Sequence, residues 1–271
     1  QVRILFLPPF FFCSRSNIIG INLRNRILMS NNEQEKNTPP DPLVAAVAEH
    51  DGNLGMGVRA ISRRIISNDN AETTLLFIKY NARVGDEGFK LLGQLEYLEV
   101  LDATDCALTN KGLEPLSELS RLRELILDIT EVGDDGLAHL SKIESLTRLS
   151  LSATRVTDVG LQHLSDMHTL QSLNLSNTSV THRGLQHLKN LYNLTHLDLE
   201  ENNIRDDGVE HLSKLVNLES LTLNYNHISD EGAKWLKGYD FLKFLNIKGN
   251  FITDRMVAEL IESMPQTTIN R

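Results

Sequence analysis

The sequence is short of positive charge, of cysteine and of long apolar runs. It has 27 Lys and Arg residues against 36 Asp and Glu residues, a formal net charge of −9 over 271 residues. Domains that bind nucleic acid usually carry a basic face, so this balance argues against a nucleic-acid partner. With only two cysteines we expect no disulfide framework. No run of 18 apolar residues occurs, which argues against a membrane-spanning helix.

The chain also lacks the short motifs of common catalytic sites. The stretch "GNLGMG" at Gly52–Gly57 is not followed by Lys-Ser/Thr, so it does not match a phosphate-binding loop. Neither the GxSxG motif of serine hydrolases nor the HExxH motif of zinc proteases occurs. We therefore expect no catalytic site, no metal and no cofactor.

The first 28 residues differ in charge from the rest of the chain. They hold four arginines and no acid, which leaves 23 basic against 36 acidic residues in the remainder. The stretch "ILFLPPFFFC" has the length of a signal-peptide core, but two prolines interrupt it and no small-residue cleavage site follows. We interpret residues 1–41 as a disordered or extraneous segment. A weak signal or anchor in residues 1–28 is the alternative.

A 24-residue repeat organises the remainder. Leucines recur every 24 residues without a slip, and Phe77 extends their register backwards. These leucines are Leu101, Leu125, Leu149, Leu173, Leu197, Leu221 and Leu245. In the later units another apolar residue follows two positions on, as Leu151 follows Leu149. Since Leu-x-Leu alternates with a period of two, each unit is predicted to begin with a short strand that buries one face.

The second half of each unit has helical spacing, as in Leu161, Leu164 and Met167. Thr157 and Asp158 come just before, and both are favourable helix-start residues. The same acid recurs at Asp86, Asp134, Asp206, Asp230 and Asp254. We interpret these aspartates as helix caps. A single unit cannot bury its apolar side, so stacking of units must do so.

The pattern LxxLxLxxTxVTDxGLxxLxxLxx resembles the leucine-rich repeat family, in the 24-residue form with TDxGL that bacterial repeat proteins and F-box proteins share. The resemblance covers residues 77–262. It implies an α/β solenoid, or horseshoe, with a parallel sheet on the concave side and short helices on the convex side. The family's asparagine position holds Asn202, Asn226 and Asn250. Cys106 takes this position in an earlier unit, and we interpret it as a turn residue.

The ends of the repeat domain, residues 77–271, depart from the pattern. Residues 42–76 predict a small N-terminal helical cap of two short helices. The apolar residues with helical spacing are Leu43, Val44 and Val47, followed by Val58, Ile61 and Ile65. At the other end, Met256 and Glu259 replace the glycine and histidine of the other units. We expect a polar C-terminal cap there, closed by Pro265.

Four histidines also stand 24 residues apart, at His139, His163, His187 and His211. Stacked helices lie about 8–10 Å apart, whereas the nitrogen ligands of one zinc ion must lie within roughly 3–4 Å of each other. The spacing therefore favours histidines that pack at the seams between repeats over a metal site.

The resemblance places the strand residues beside the leucines on the concave face. Two acidic groups flank a small, neutral centre, with two aromatic residues beside the second group. The candidate contact residues are Asp102, Glu124 and Asp128, then Asp198, Glu200, Glu201, Asn224, Tyr225 and Phe244. Exposed aromatic residues within a polar rim are typical of a binding hot spot. The alternative is an ordinary solvated strand face.

We therefore expect a monomeric, cytoplasmic, non-enzymatic module that binds a protein or peptide with a basic patch on its concave face. One alternative is a substrate-recognition adaptor of a ubiquitin ligase. The helical box of such adaptors needs a tryptophan near its end, but the one tryptophan here is Trp235. Another alternative is a secreted bacterial effector delivered into another cell, which would use the same surface.

Overall fold

The computed structural model describes residues 41–49, 64–67 and 73–271, with backbone alone at residues 64–67 and 73. All of these residues lie in one compact unit, Pro40–Arg271. The predictions for residues 1–40, and for Val58 and Ile61, fall outside the described residues.

The described residues form a sheet of ten strands that lie side by side in sequence order. β1 (Arg64–Ser67) pairs antiparallel with β2 (Thr73–Phe77), and every later pair is parallel. The remaining strands are β3 (Val100–Asp102), β4 (Glu124–Ile126), β5 (Arg148–Ser150), β6 (Ser172–Asn174), β7 (His196–Asp198), β8 (Ser220–Thr222), β9 (Phe244–Asn246) and β10 (Thr268–Asn270). The predicted parallel sheet of a repeat solenoid is confirmed.

Short helices follow the strands, as the change of period predicts. The α-helices are α1 (Pro42–Glu49), α2 (Asp86–Leu92), α3 (Asp134–Leu140), α4 (Leu161–Leu164), α5 (Asp206–Leu212), α6 (Asp230–Ala233) and α7 (Asp254–Ser263). Three further segments are 3₁₀ helices: Asn110–Glu118, Gly184–Leu188 and Lys234–Leu236. Pro115 lies inside the first of these, where it lacks the N–H that an α-helix would use.

The leucine column forms the inner layer of the sheet. Leu101 pairs with Leu125, and the pairing continues in register to Leu245. The apolar side chains of strands and helices together form one continuous buried cluster from Leu43 to Met264. Burial of this kind, repeated between neighbours, supplies most of the favourable free energy of a repeat solenoid.

The first repeat differs from the predicted register by one residue. Leu76, not Phe77, pairs with Leu101, and Phe77 pairs with Asp102. Leu76 and Ile78 are fully buried, so Phe77 between them lies on the opposite face of the strand. The prediction that Phe77 continues the leucine column is therefore wrong, and the first spacing is 25 residues.

The N-terminal cap combines a helix with a strand. The first predicted helix is confirmed as α1, which buries Leu43 and Ala46. Ile65, predicted to be helical, instead lies in β1. A short apolar run fits either period, and here the strand supplies hydrogen-bond partners to β2 at the edge of the sheet.

The C-terminal end continues the repeat further than expected. Ile269 stands 24 residues after Leu245 and pairs with it in β10. The prediction that Pro265 closes the cap is therefore wrong, because a tenth strand follows it. Met264, buried at the end of α7, packs under this last turn.

The aspartates at the helix starts hydrogen-bond to the next repeat. Oδ1 of Asp134 accepts the N–H of Thr157 at 2.8 Å, and Oδ2 accepts its hydroxyl at 2.7 Å. The same pair of bonds recurs in Asp86–Thr109, Asp158–Thr181, Asp206–Ser229 and Asp230–Thr253. Asp41 extends this aspartate ladder by accepting the N–H of Gly85. The interpretation of the five aspartates as caps of their own helices is wrong, because their hydrogen bonds join neighbouring repeats.

The aspartate ladder is interrupted at one junction. His182 stands at the aspartate position and Arg205 at the threonine position, and the hydrogen bonds of the described residues include none between them. Nδ1 of His182 is buried without a hydrogen-bond partner. This junction therefore lacks two contacts that its neighbours have.

Restoring those contacts should stabilise the protein. We expect His182→Asp with Arg205→Thr to raise the free energy of unfolding by about 1–2 kcal/mol, because hydrogen bonds to a carboxylate contribute roughly that much. Urea unfolding measured by circular dichroism checks this. The matched control, Asp158→His with Thr181→Arg, copies the interrupted junction onto an intact one and should lose stability. A repaired junction no more stable than the wild type would contradict the role given to the ladder.

Candidate functional site

The concave face consists of the residues that precede, separate and follow the two apolar residues of β2–β9. The residue after each such strand has a positive φ, from 51° to 71°. These residues are Tyr80, Asp105, Ile129, Ala153, Asn177, Glu201, Tyr225 and Gly249. The chain turns sharply here, which places Glu201 and Tyr225 on the rim of the face. Tyr80, predicted one position earlier, shares this column because of the 25-residue first spacing.

Two predicted contact residues of the first acidic group are buried in ion pairs. Asp102 accepts the hydroxyl of Thr104 at 2.7 Å and lies 3.2 Å from Nζ of Lys79. Glu124 accepts a hydrogen bond from Nε of Arg148 at 3.0 Å. Both carboxylates are almost inaccessible to solvent. Their charges are already balanced within the protein.

Asp128, the third member of the first acidic group, is half-buried and engaged with the next strand. It accepts the hydroxyl of Ser150 at 2.6 Å and the N–H of Ser152 at 2.9 Å. Burial raises its pKa, and the two hydrogen bonds counteract the rise. The three acids thus contribute to the structure of the sheet and offer little free surface to a partner.

Asp198 is set apart within the second acidic group. Its side chain is 3% exposed, and Oδ1 accepts the N–H of Glu200 at 2.9 Å. Among the described residues no cation forms an ion pair with it. Burial, followed by the negative charges of Glu200 and Asp128, raises the pKa of Asp198 to about 7. Asp198 therefore changes its charge near neutral pH.

The rest of the second acidic group is more open. Glu200 is half-buried, burial raises its pKa, and Nδ2 of Asn224 lies 3.5 Å from its Oε2. Asn224 is itself buried, and its Oδ1 accepts the N–H of Lys248 at 3.0 Å. Glu201 is exposed at the rim. Glu200 and Glu201 are accessible to a partner, whereas Asn224 mainly connects strands.

The two predicted aromatic residues lie exposed on the last repeats. Phe244 is 52% exposed and Tyr225 is 38% exposed. The Tyr225 ring lies against Gly249, where a Cβ would collide with it, and Nζ of Lys248 lies 5.8 Å from the ring centroid. The glycine at this point is thus required both by its φ of 71° and by the ring above it.

The turn residues behave as predicted. Nδ2 of Asn226 donates to the carbonyl oxygens of Leu199 and Leu223, in two successive repeats. Sγ of Cys106 contacts the carbonyl oxygen of Ile78 at 3.6 Å, and burial raises the pKa of Cys106 to about 12. A thiol with this pKa is a poor nucleophile at neutral pH, so its role in the turn is structural.

The histidine column varies in exposure. His163 is exposed, whereas His139, His187 and His211 are half-buried, and Nδ1 of His139 has no hydrogen-bond partner. The described residues contain no group of three or more His, Cys, Asp or Glu that could hold a metal ion. Seam packing remains the prediction for this column. In the described part of the chain, no helix is both long enough and apolar enough to span a membrane.

A leucine-rich repeat family model matches residues 144–204 and 192–252. Among solved structures, the chain resembles two internalins of Listeria monocytogenes. For internalin F the identity is 24% and the TM-score 0.57, over 76% of this chain and 64% of that one. For internalin C2 the identity is 25% and the TM-score 0.62, over 85% of this chain and 94% of that one. No curated protein matches the sequence.

A leucine-rich repeat protein of Leptospira interrogans is also similar, with 19% identity and a TM-score of 0.51 over 67% of this chain and 51% of that one. At these identities the likeness to internalin F and to the Leptospira protein shows the fold alone. This chain spans about two thirds of the internalin F chain or less. Together with the 24-residue register and the parallel solenoid sheet, these matches identify a leucine-rich repeat protein. The TDxGL subclass stays a prediction.

The raised pKa of Asp198 predicts a pH-dependent stability. Since the pKa of about 7 in the folded state lies above the unfolded value of about 3.9, folding takes up a proton between these values. The stability of the wild type therefore falls as the pH rises from 4 to 8. Asp198→Asn cannot ionise, so we expect it to be more stable than the wild type at pH 8, by up to about 4 kcal/mol. Near pH 4 the difference should vanish.

Urea unfolding of both proteins at pH 4, 6 and 8 measures this difference. The raised pKa values of Asp128 and Glu200, and the pKa of His196 that burial lowers, are common to both proteins and cancel. As a control, Asp102→Asn loses the ion pair with Lys79 and should be less stable than the wild type at pH 8. A difference for Asp198→Asn that does not change with pH would contradict the assignment.

Proposed function

We propose that this protein is a non-enzymatic, monomeric binding module that takes a protein or peptide on the concave face of its C-terminal repeats. The observation that carries the proposal is the exposure of Phe244 and Tyr225 on the same face as Glu200 and Glu201. Large apolar side chains left on a rigid surface beside charged ones are characteristic of protein-binding sites.

The four residues are close enough to act together. They belong to three consecutive repeats, on β7, β8 and β9, whose strands lie about 4.8 Å apart. We call Glu200, Glu201, Tyr225 and Phe244 the binding patch. Hydrogen bonds between the strands hold the backbone of the patch in place, so a partner would lose little free energy to ordering it.

The charge of the patch favours a partner with a basic surface. The two glutamates lie on the open side of the face, and the nearest cation, Lys248, lies beside the Tyr225 ring. Opposite charges speed diffusional encounter, and the effect weakens as salt rises. The ubiquitin-ligase adaptor receives less support, because β1 is a strand within the segment where such an adaptor needs a helical box.

Affinity capture with the full chain as bait, quantified by mass spectrometry, tests the proposal. We expect Phe244→Ala to weaken a captured partner by about 2 kcal/mol, roughly thirtyfold, if Phe244 is a hot spot. Trp235→Ala is the matched control, since Trp235 is a similarly exposed aromatic residue on a helix of the other face. A partner lost with Trp235→Ala and retained with Phe244→Ala would contradict the proposal.

Charge reversal tests the electrostatic part separately. We expect Glu200→Lys with Glu201→Lys to slow association, with a defect that shrinks as the salt concentration rises. Asp207→Lys with Glu210→Lys makes the same change in net charge on α5, away from the patch. Surface plasmon resonance at several salt concentrations compares the two variants. Equal slowing by both would assign the effect to net charge rather than to the patch.

A further inference from the structure

Three polar residues lie in a row at the floor of the concave face. Asn174, Asp198 and Thr222 occupy the same position in β6, β7 and β8 and pair side by side. Their exposures are 8%, 3% and 3%. We call these three residues the floor row. Their position, between the two leucines of a repeat, aims their side chains out of the core and into the face.

Each residue of the floor row keeps an unused hydrogen-bonding group. Oδ1 of Asn174 accepts the N–H of Ser176 at 2.9 Å, but among the described residues its NH₂ group donates to no acceptor. Asp198 uses Oδ1 alone, and Oδ2 accepts nothing from the described residues. The hydroxyl oxygen of Thr222 is 3.4 Å from Nδ2 of Asn246, and its proton has no acceptor in the same part of the chain.

These unused groups are not sealed inside the protein. In the described residues, the side-chain nitrogen and oxygen atoms that are both fully enclosed and unpartnered are Nδ1 of His139 and of His182. The unused atoms of the floor row therefore open towards the face. Buried polar groups are nearly always paired, so a row with one free group in every residue is suited to a ligand that completes it.

The charges of the face single out the middle of this row. Asp102 has Lys79, and Glu124 has Arg148. Asp198 and Glu200, by contrast, have no ion pair within the described part of the protein. They are two residues apart on β7, so both side chains lie on the same face about 7 Å apart. Two neighbouring carboxylates without a cation call for one from outside.

We propose that a basic side chain of the partner, lysine or arginine, enters the concave face at β7 and pairs with Asp198 and Glu200. The inference rests on the proposed function and names the chemistry of its central contact. On the neighbouring strands the residues that flank the floor row are small, Ser172 and Ser176 on β6 and Ser220 on β8, which leaves room for the incoming chain.

The energetics favour such a contact. The folded protein already holds Asp198 away from water, and burial raises the pKa of this carboxyl to about 7. A cation placed beside it would remove an existing unfavourable interaction, whereas a cation at an exposed acid gains little. Asp198 is therefore the acid on this face where a positive charge should contribute most.

Selection of random peptides displayed on phage, against the full wild-type chain, tests the inference. We expect peptides enriched in lysine and arginine relative to the starting library. Their affinity should fall at least about tenfold on Asp198→Asn, because a charged hydrogen bond is lost. Asp102→Asn is the matched control, since it makes the same isosteric change at the same repeat position on an acid that Lys79 already pairs. It should leave the affinity within about twofold of the wild type.

The outcomes separate this inference from the proposed function. Peptides weakened by Phe244→Ala that carry no basic residue, or that bind Asp198→Asn as well as the wild type, would overturn the inference and leave the binding patch standing. Peptides indifferent to both Phe244→Ala and Asp198→Asn would overturn the proposed function itself. A selection that enriches no peptide against the wild type would count against both.

Discussion

Everything in this solenoid depends on keeping each repeat in register with the next. The TDxG stretch shows how closely: Asp134 binds Thr157 of the following repeat, and its Oδ1 lies 2.5 Å from where a Cβ of Gly160 would stand. Glycine in a helical turn ordinarily costs about 1 kcal/mol. Here the approach of the carboxylate requires it, so threonine and glycine of one repeat and aspartate of the previous one form a single contact.

The same register divides the concave face into two regions. On the strands before β6, acids such as Asp102 and Glu124 pair with cations one repeat away, so that the surface is internally balanced. From β7 onward the pattern changes, because Asp198 has no cation among the described residues and Phe244 stands exposed. A face that satisfies itself at one end and leaves charge and apolar area unsatisfied at the other is suited to a partner at the second end.

Periodicity predicted the leucine columns, the short helices and the turn residues, because each is a matter of which face a side chain occupies. It did not predict contacts between repeats: the aspartate column was visible, but its partner 23 residues later was not. Phe77 was misplaced because its neighbour Leu76 is equally apolar. Asp102 and Asp198 were expected to be exposed because they are acidic, whereas neighbouring strands bury both. Ile65 lies in a run too short to distinguish strand from helix.

The central claim is that a partner covers the C-terminal part of the concave face. Hydroxyl-radical footprinting of the full chain, with and without a captured partner, tests it most directly, because exposed aromatic side chains lie on both faces. The account predicts that the partner protects Tyr225 and Phe244 from oxidation while Trp235, on the helical side, stays as reactive as before. Protection of Trp235 with Tyr225 and Phe244 unchanged would contradict it.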